Sequence, residues 1–143
     1  MGLVVEHVTK SFGEKDAKTQ VLNDINFTAN KGELIVLNGA SGSGKSTLAQ
    51  LLVGLLTPQM GKIHISNMKM NESSKWDIRK RVGLVFQNPD HQFIGTTVQD
   101  DVAFGLENIN MSYPEMKVKV DEALERVGMT EFRFHDPSRL SGG

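Results

Sequence analysis

Gly39-Ala40-Ser41-Gly42-Ser43-Gly44-Lys45-Ser46 fits G-x-x-x-x-G-K-[ST] without a mismatch, and Thr47 follows it. These residue types suit the binding of Mg-nucleoside triphosphate. Glycines let backbone N–H groups converge on phosphate oxygens without obstruction by Cβ, and a helix opening at Ser46 adds the positive end of its dipole. A lysine at Lys45 reaches the β- and γ-phosphates, and a hydroxyl at Ser46 suits Mg²⁺. A Gly/Ser turn that merely opens a helix is the plainer alternative, and the flanking pattern disfavours it.

Leu34-Ile35-Val36-Leu37 is an unbroken apolar run between Gly32-Glu33 and Asn38-Gly39, which predicts a strand buried on both faces of a parallel sheet. After the loop, Leu48, Leu51, Leu52 and Leu55 recur at helical spacing, and Thr57-Pro58 stops the helix. The loop is thus expected between a buried strand and an amphipathic helix. Around this core, Leu3 to Val8 reads as a strand. In Val21 to Ala29, apolar Ile25, Phe27 and Ala29 alternate with polar residues, as in a half-buried antiparallel strand. Lys62 to Ser66 reads as a short strand, Met68 to Ser74 as polar loop, and Val82 to Phe86 as a further apolar strand. Thr97-x-x-Asp100 and Ser112-x-x-Glu115 are capping-box patterns that predict helices near Val98 to Leu106 and Pro114 to Val127, the second stopped by Gly128. The chain therefore divides into a mixed α/β core, residues 1–95, and a helical portion, residues 96–143.

The 143 residues are 38% hydrophobic and 23% charged, which excludes collagen-like, mucin-like and wholly disordered classes. A formal charge of −1 with no long basic block argues against a nucleic-acid partner. Zero cysteines exclude a disulfide framework and a Cys-ligated metal or Fe–S centre. The first residues lack the pattern of a signal peptide, and the longest apolar segment, Leu48 to Leu56, is broken by Gln50 and Gly54, so a membrane role is expected to be peripheral. His7, His64, His91 and His135 read as packing or surface residues, and Arg79-Lys80-Arg81 as a solvated basic run.

Several segments then narrow the class of P-loop protein. Leu140-Ser141-Gly142-Gly143 matches the start of the L-S-G-G-Q signature of ATP-binding-cassette (ABC) ATPases, and it follows a helical segment. Val82-Gly83-Leu84-Val85-Phe86-Gln87 resembles that family's Q-loop strand and glutamine, and Phe12-Gly13 resembles its adenine-stacking aromatic. Gln87-Asn88-Pro89-Asp90-His91-Gln92-Phe93, continuing through Thr97 to Asp101-Val102-Ala103-Phe104-Gly105-Leu106-Glu107-Asn108, is similar to the ATP-binding subunit of energy-coupling-factor (ECF) vitamin and metal importers. Read by residue alone, Phe12 is either a purine-stacking face or a buried turn residue, Gln87 either a sensor or a polar strand end, and Ser141-Gly142-Gly143 either a binding loop or a flexible end.

The resemblance implies an α/β fold: a P-loop NTPase core with an antiparallel β-subdomain and a partial helical subdomain, the C-terminal part of the family domain lying beyond residue 143. It implies ATP and Mg²⁺ as cofactors. Phe12 would stack on adenine and Gly39 to Thr47 would hold the phosphates. Ser46 and Gln87 would face the metal, and Ser141, Gly142 and Gly143 would meet the γ-phosphate held by a second ABC ATPase subunit, in a homo- or heterodimer. Membrane partners would be a transmembrane scaffold and a substrate-binding protein, at the cytoplasmic face of the cell membrane, with ATP binding and hydrolysis driving uptake of a vitamin or metal ion. The family's catalytic Glu, its Mg-associated Asp and its switch His follow the signature, so this chain alone is expected to be inactive in hydrolysis and, lacking the later strands, unstable or prone to aggregate. A non-catalytic nucleotide-binding or assembly fragment, and the ATPase of another ABC importer, are the alternative readings. A P-loop kinase is disfavoured by the signature and its distance from Gly44.

Overall fold

The β-branched run that opens the chain becomes β1, Leu3–Phe12, and the alternating segment becomes β2, Thr19–Ala29, paired antiparallel with it from Leu3↔Ala29 to Phe12↔Thr19. The computed structural model describes residues 2–14, 17–87 and 92–140. The chain forms two compact units, Met1–Leu84 and Val85–Gly143, which divide ahead of the boundary expected at Gly95.

In the first unit a helix, α1, covers Lys45–Leu52, and β3, Met60–Ile65, pairs antiparallel with the other edge of β1. Ser66 and Asn67 both take left-handed φ, 49° and 67°, as a two-residue hairpin turn requires, and fold Met68–Lys69 back as β4. The polar loop expected from Met68 therefore begins as a short edge strand. The sheet order is β2-β1-β3-β4. A short helix, α2, follows at Lys75–Arg79, with Ile78 buried.

A bulge sets which residues of β1 reach the core. Val5 and Val8 are both buried although three residues apart, and the register shifts between them. His7 at φ 52° and Asp24 at φ 48° form the irregularity. His7 N–H donates to Asn26 Oδ1 at 2.8 Å, and His7 Nδ1 lies 2.7 Å from Asp24 Oδ1. Without the extra residue, Val8 would turn to the opposite face. On the core face Val5, Val8, Leu22, Ile63 and Ile65 meet Leu48 and Leu51 of α1 and Ile78 of α2. An eight-residue helix is marginal in isolation, whereas burying a leucine side chain contributes about 1.5–3 kcal/mol, so tertiary packing holds α1. Beyond its C-terminus, Arg79 donates to Val53 O at 3.2 Å and Gly54 O at 2.7 Å, and its guanidinium stacks 5.1 Å from the Trp76 ring centroid.

The second unit carries both expected helices, α3 at Val98–Glu107 and α4 at Tyr113–Arg126. Thr97 caps α3 by accepting from Asp100 N–H at 3.3 Å, and its hydroxyl donates to Asp100 Oδ2 at 2.6 Å. That hydroxyl, foremost, holds the Asp100 carboxyl below its ordinary value. Ser112 engages Glu115 Oε2 at 2.6 Å through its hydroxyl without capping the α4 backbone. Gly128, at φ 68°, ends α4 as expected, and Met129 N–H reaches back to Leu124 O at 2.8 Å. Val98, Val120 and Leu124 form the small core between the helices.

Two sequence expectations fail together. Leu34–Leu37 is neither a strand nor buried: Leu34 is 89% and Val36 78% exposed. Val82–Phe86 likewise forms no strand, and Val85 is 80% exposed, although Val82 packs against the first core. Among the described strands none pairs with either segment. An apolar strand can be buried only when neighbours satisfy its N–H and C=O groups, and without them both segments stay at the surface. The helix after the loop also ends at Leu52, earlier than Leu56, where Val53 and Gly54 take up turn geometry.

Leu34→Lys should therefore leave folding stability within about 0.5 kcal/mol and reduce self-association, checked by chemical denaturation and sedimentation; a large destabilisation would show the segment to be packed. Thr97→Ala should destabilise α3 by about 1 kcal/mol, read by hydrogen exchange of its amides. Because the Asp100 pKa is lowered on folding, its stabilising share is present above the ordinary carboxylate value and lost as pH falls through the lowered one. Thr97→Ala should flatten that acid limb.

Candidate phosphate-binding site

The loop from Gly39 to Gly44 delivers the chain from the exposed 34–37 segment into α1. Its bends lie at glycine: Gly42 has φ 80° and Gly44, the residue before α1, φ 92°. Gly44 also touches the sheet so closely that a Cβ would stand 2.8 Å from Leu22 Cδ2 and 3.0 Å from Val21 O. A Cβ on Gly39 would stand 2.7 Å from Ser43 Oγ. A side chain at Gly44 would push the loop off β2, and one at Gly39 would displace Ser43.

Lys45 folds back over the loop that precedes it. Its ammonium donates to Gly39 O and Ala40 O, each at 2.8 Å, and to Ser43 Oγ at 3.1 Å. Ser43 N–H closes the turn onto Ala40 O at 3.2 Å. The result is a small concave backbone loop with one cation tied across it at the N-terminus of α1. The first turn of α1 contains no acidic residue, so nothing there offsets the helix dipole. Ser46 is exposed in that turn and Thr47 half-buried. Below the loop, Leu22, Ile25, Phe27, Val36, Leu37 and Leu48 line a cleft of about 470 Å³. Gly39, Ser43, Gly44 and Lys45 line it as well, so the cleft is continuous with the loop.

The sequence-predicted residues are only partly brought together. Gly39 to Thr47 form one contiguous site, and β2 joins Phe12 to it, because Phe12 pairs with Thr19 while Val21 and Leu22, two and three residues further along, seat Gly44. Phe12 is 43% exposed at the end of β1, and so is no buried turn residue. Gln87 is exposed and belongs to the second unit. Ser141, Gly142 and Gly143, and Asn88 to His91, lie outside the described residues. Sequence reasoning missed Lys10, whose ammonium stands 5.3 Å from the Phe12 ring centroid, and Gln59, which binds the backbone of Ser11. Lys10 was missed because the strand read from Leu3 to Val8 continues to Phe12, which brings Lys10 and Phe12 into one strand. Gln59 left no signal in the sequence.

A glycine-turned loop with a lysine tied across it, seated on an antiparallel sheet and followed in the chain by a pair of helices, is the arrangement of a nucleotide-binding cassette. The family model for ABC transporter matches residues 22–143, and the chain belongs to that family. It is 54% identical over 139 residues to the energy-coupling factor transporter ATP-binding protein EcfA1 of Lacticaseibacillus paracasei, covering 97% of this chain and 49% of that protein. It is 50% identical to the EcfA1 of Listeria monocytogenes serotype 4b, with the same coverage. The chain thus spans about half the length of the curated relatives it matches. Among solved structures, cbiO1 from Clostridium perfringens, part of the ABC transporter complex cbiONQ, aligns with TM-score 0.83 and 33% identity over 97% of this chain and 55% of its own. A dimeric post-hydrolysis state of the ATP-binding cassette MJ0796, bound to ADP and Pi, aligns with TM-score 0.81 and 28% identity over 98% and 63%. The antiparallel sheet and helices described above are therefore those of an ABC ATPase cassette.

Lys45→Ala removes the cation and unties Gly39 and Ala40. It should abolish tight binding of Mg-ATP in calorimetry, and unchanged affinity would refute the assignment of this loop.

Proposed function

We propose that the chain binds Mg-ATP as part of the ATP-binding subunit of an ECF-type importer, in which ATP binding and hydrolysis drive uptake of a vitamin or metal ion across the membrane. The observation that carries the reading is the loop itself: a lysine tied over a glycine-turned backbone at an uncompensated helix N-terminus, in a chain half identical to EcfA1 proteins.

The phosphates would lie against the N–H groups of the loop from Ala40 to Lys45 and the first turn of α1, with Lys45 exchanging loop oxygens for β- and γ-phosphate oxygens. That exchange keeps the ammonium hydrogen-bonded throughout, so binding incurs little desolvation cost at Lys45. Phe12 would stack on the adenine.

Among the described residues no group of three or more His, Asp or Glu side chains is placed to hold a metal ion. Mg²⁺ would therefore arrive on the nucleotide. Ser46, an exposed hard-oxygen donor one residue after Lys45, fits that role, and Gln87 is the second candidate ligand. Ser46 and Gln87 would hold the metal, whose chemistry there is neutralisation of phosphate charge.

Support for a second ATPase subunit comes from the dimeric cassettes this chain resembles. In that assembly Ser141, Gly142 and Gly143 would close over the γ-phosphate bound by the partner, and ATP would serve as the adhesive between subunits. Membrane components, a scaffold and a substrate-binding protein, would be met at the cytoplasmic face. Among the described residues no helix is long and apolar enough to cross a membrane. The roles of the chain's own residues are binding and orientation. The family resemblance gives the catalytic base to a glutamate after the signature motif.

At ATP concentrations about 100 times the dissociation constant, folding stability should rise by about 2.7 kcal/mol, with no sustained phosphate release by the chain alone. Absence of the stability shift would overturn the nucleotide reading, and sustained turnover would overturn the division of labour.

A further inference from the structure

The end of β1 is held by a device that the strand ladder does not supply. Regular pairing of β1 with β3 ends at Thr9↔Met60, three residues before Phe12. From there the chain segment leaving α1 takes over. Gln59 N–H donates to Thr9 O at 3.0 Å. The Gln59 side-chain amide then binds both backbone groups of Ser11: its Oε1 accepts from Ser11 N–H at 2.7 Å, and its Nε2 donates to Ser11 O at 2.8 Å. A primary amide presents the same donor–acceptor pair as a peptide unit, so Gln59 extends the ladder by one rung with its side chain. Ser11 is buried, and without that rung its N–H and C=O on this side would go unmatched.

Two residues earlier in the segment, Thr57 O accepts from Lys10 Nζ at 2.8 Å. This bond holds the ammonium 5.3 Å from the centroid of the Phe12 ring. Residues 57–59 therefore grip residues 9–11 at successive points. The Phe12 ring carries a tethered cation and remains 43% exposed at the surface.

We propose that Gln59 is a positioning residue for the base of the bound nucleotide: it fixes the terminal residues of β1 so that Phe12, backed by Lys10, presents an exposed stacking platform. The inference rests on the assignment of Phe12 to adenine in the proposed function. It extends that assignment to a residue that touches no nucleotide. Residues 57–59 follow α1 by a short turn, so in that reading one stretch of chain joins the base platform to the helix whose N-terminus would meet the phosphates.

The test compares Mg-ATP with inorganic tripolyphosphate, which offers phosphates and no base, by calorimetry on the full chain. Gln59→Met keeps side-chain length and removes the amide. It should weaken ATP roughly five- to tenfold while leaving tripolyphosphate within about twofold, and it should add nothing further in a Phe12→Ala background. Gln59→Glu, which keeps an acceptor for Ser11 N–H and sets a carboxylate against Ser11 O, should lose at least as much ATP affinity with the same selectivity. Equal weakening of both probes, an unchanged ATP affinity, or an effect that persists without the Phe12 ring would overturn the inference while leaving the phosphate site intact. Wild-type chain that binds ATP no better than tripolyphosphate would overturn the stacking role of Phe12 itself.

Discussion

The contact between Gly44 and β2 is the constraint on which the first unit turns. At φ 92° and with Val21 O only 3.0 Å from where a Cβ would stand, this residue has neither the conformation nor the room for a side chain. It is the point at which loop becomes helix. Leu48 N–H bonds back to its carbonyl at 2.9 Å, so the first intrahelical bond of α1 starts from a residue pressed onto the sheet. The direction of α1, the burial of Leu48 and Leu51, and the curvature of the loop over which Lys45 is tied all follow from that seat. Sheet packing and loop geometry are thus one problem, solved at one glycine.

The antiparallel sheet has a second constraint of its own. β1 must bury both Val5 and Val8 in one core, three residues apart, which no regular strand does. It manages this by irregular register through the His7–Asp24 pairing, and the register shifts again around Lys10. Gly61, at φ 89°, is needed opposite the first bulge, because a Cβ there would stand 2.4 Å from both Glu6 O and His7 O. The Asp24 carboxyl is held below its usual range by the His7 hydrogen bond first and that of Asn26 second. The charged form is thereby the one built into the bulge.

The parts legible in the sequence were those whose cause is local. The phosphate loop is a motif because glycine conformation, lysine reach and helix start are all set within a few residues. The α3 cap at Thr97 and the stop at Gly128 are legible for the same reason. Leu34–Leu37 was misread because an apolar run reports how a segment would pack if strands flanked it, and says nothing about whether they do. Chain neighbours are local and sheet neighbours are not. The bulge at His7 was hidden because Asp and His, though enriched among left-handed residues, take that backbone in only a small share of cases, and the pairing that selects it here joins residues 17 apart in the chain. Gln59 was hidden because a glutamine in a loop has many uses, and only the third dimension shows that it stands in for a peptide.

The two poles of α1 are treated unequally. At its carbonyl end the Arg79 guanidinium bonds Val53 O and Gly54 O, placing a full positive charge where the helix is negative. At its amide end the first turn carries no acid, and Lys45 adds a further positive charge. Cancelling one end of a dipole leaves a field closer to that of a single charge, which declines more slowly with distance. An approaching polyanion therefore meets attraction out to the Debye length, about 8 Å at physiological ionic strength, rather than only within the last turn. Capture from solution would then be governed by salt as much as by the fit of the loop.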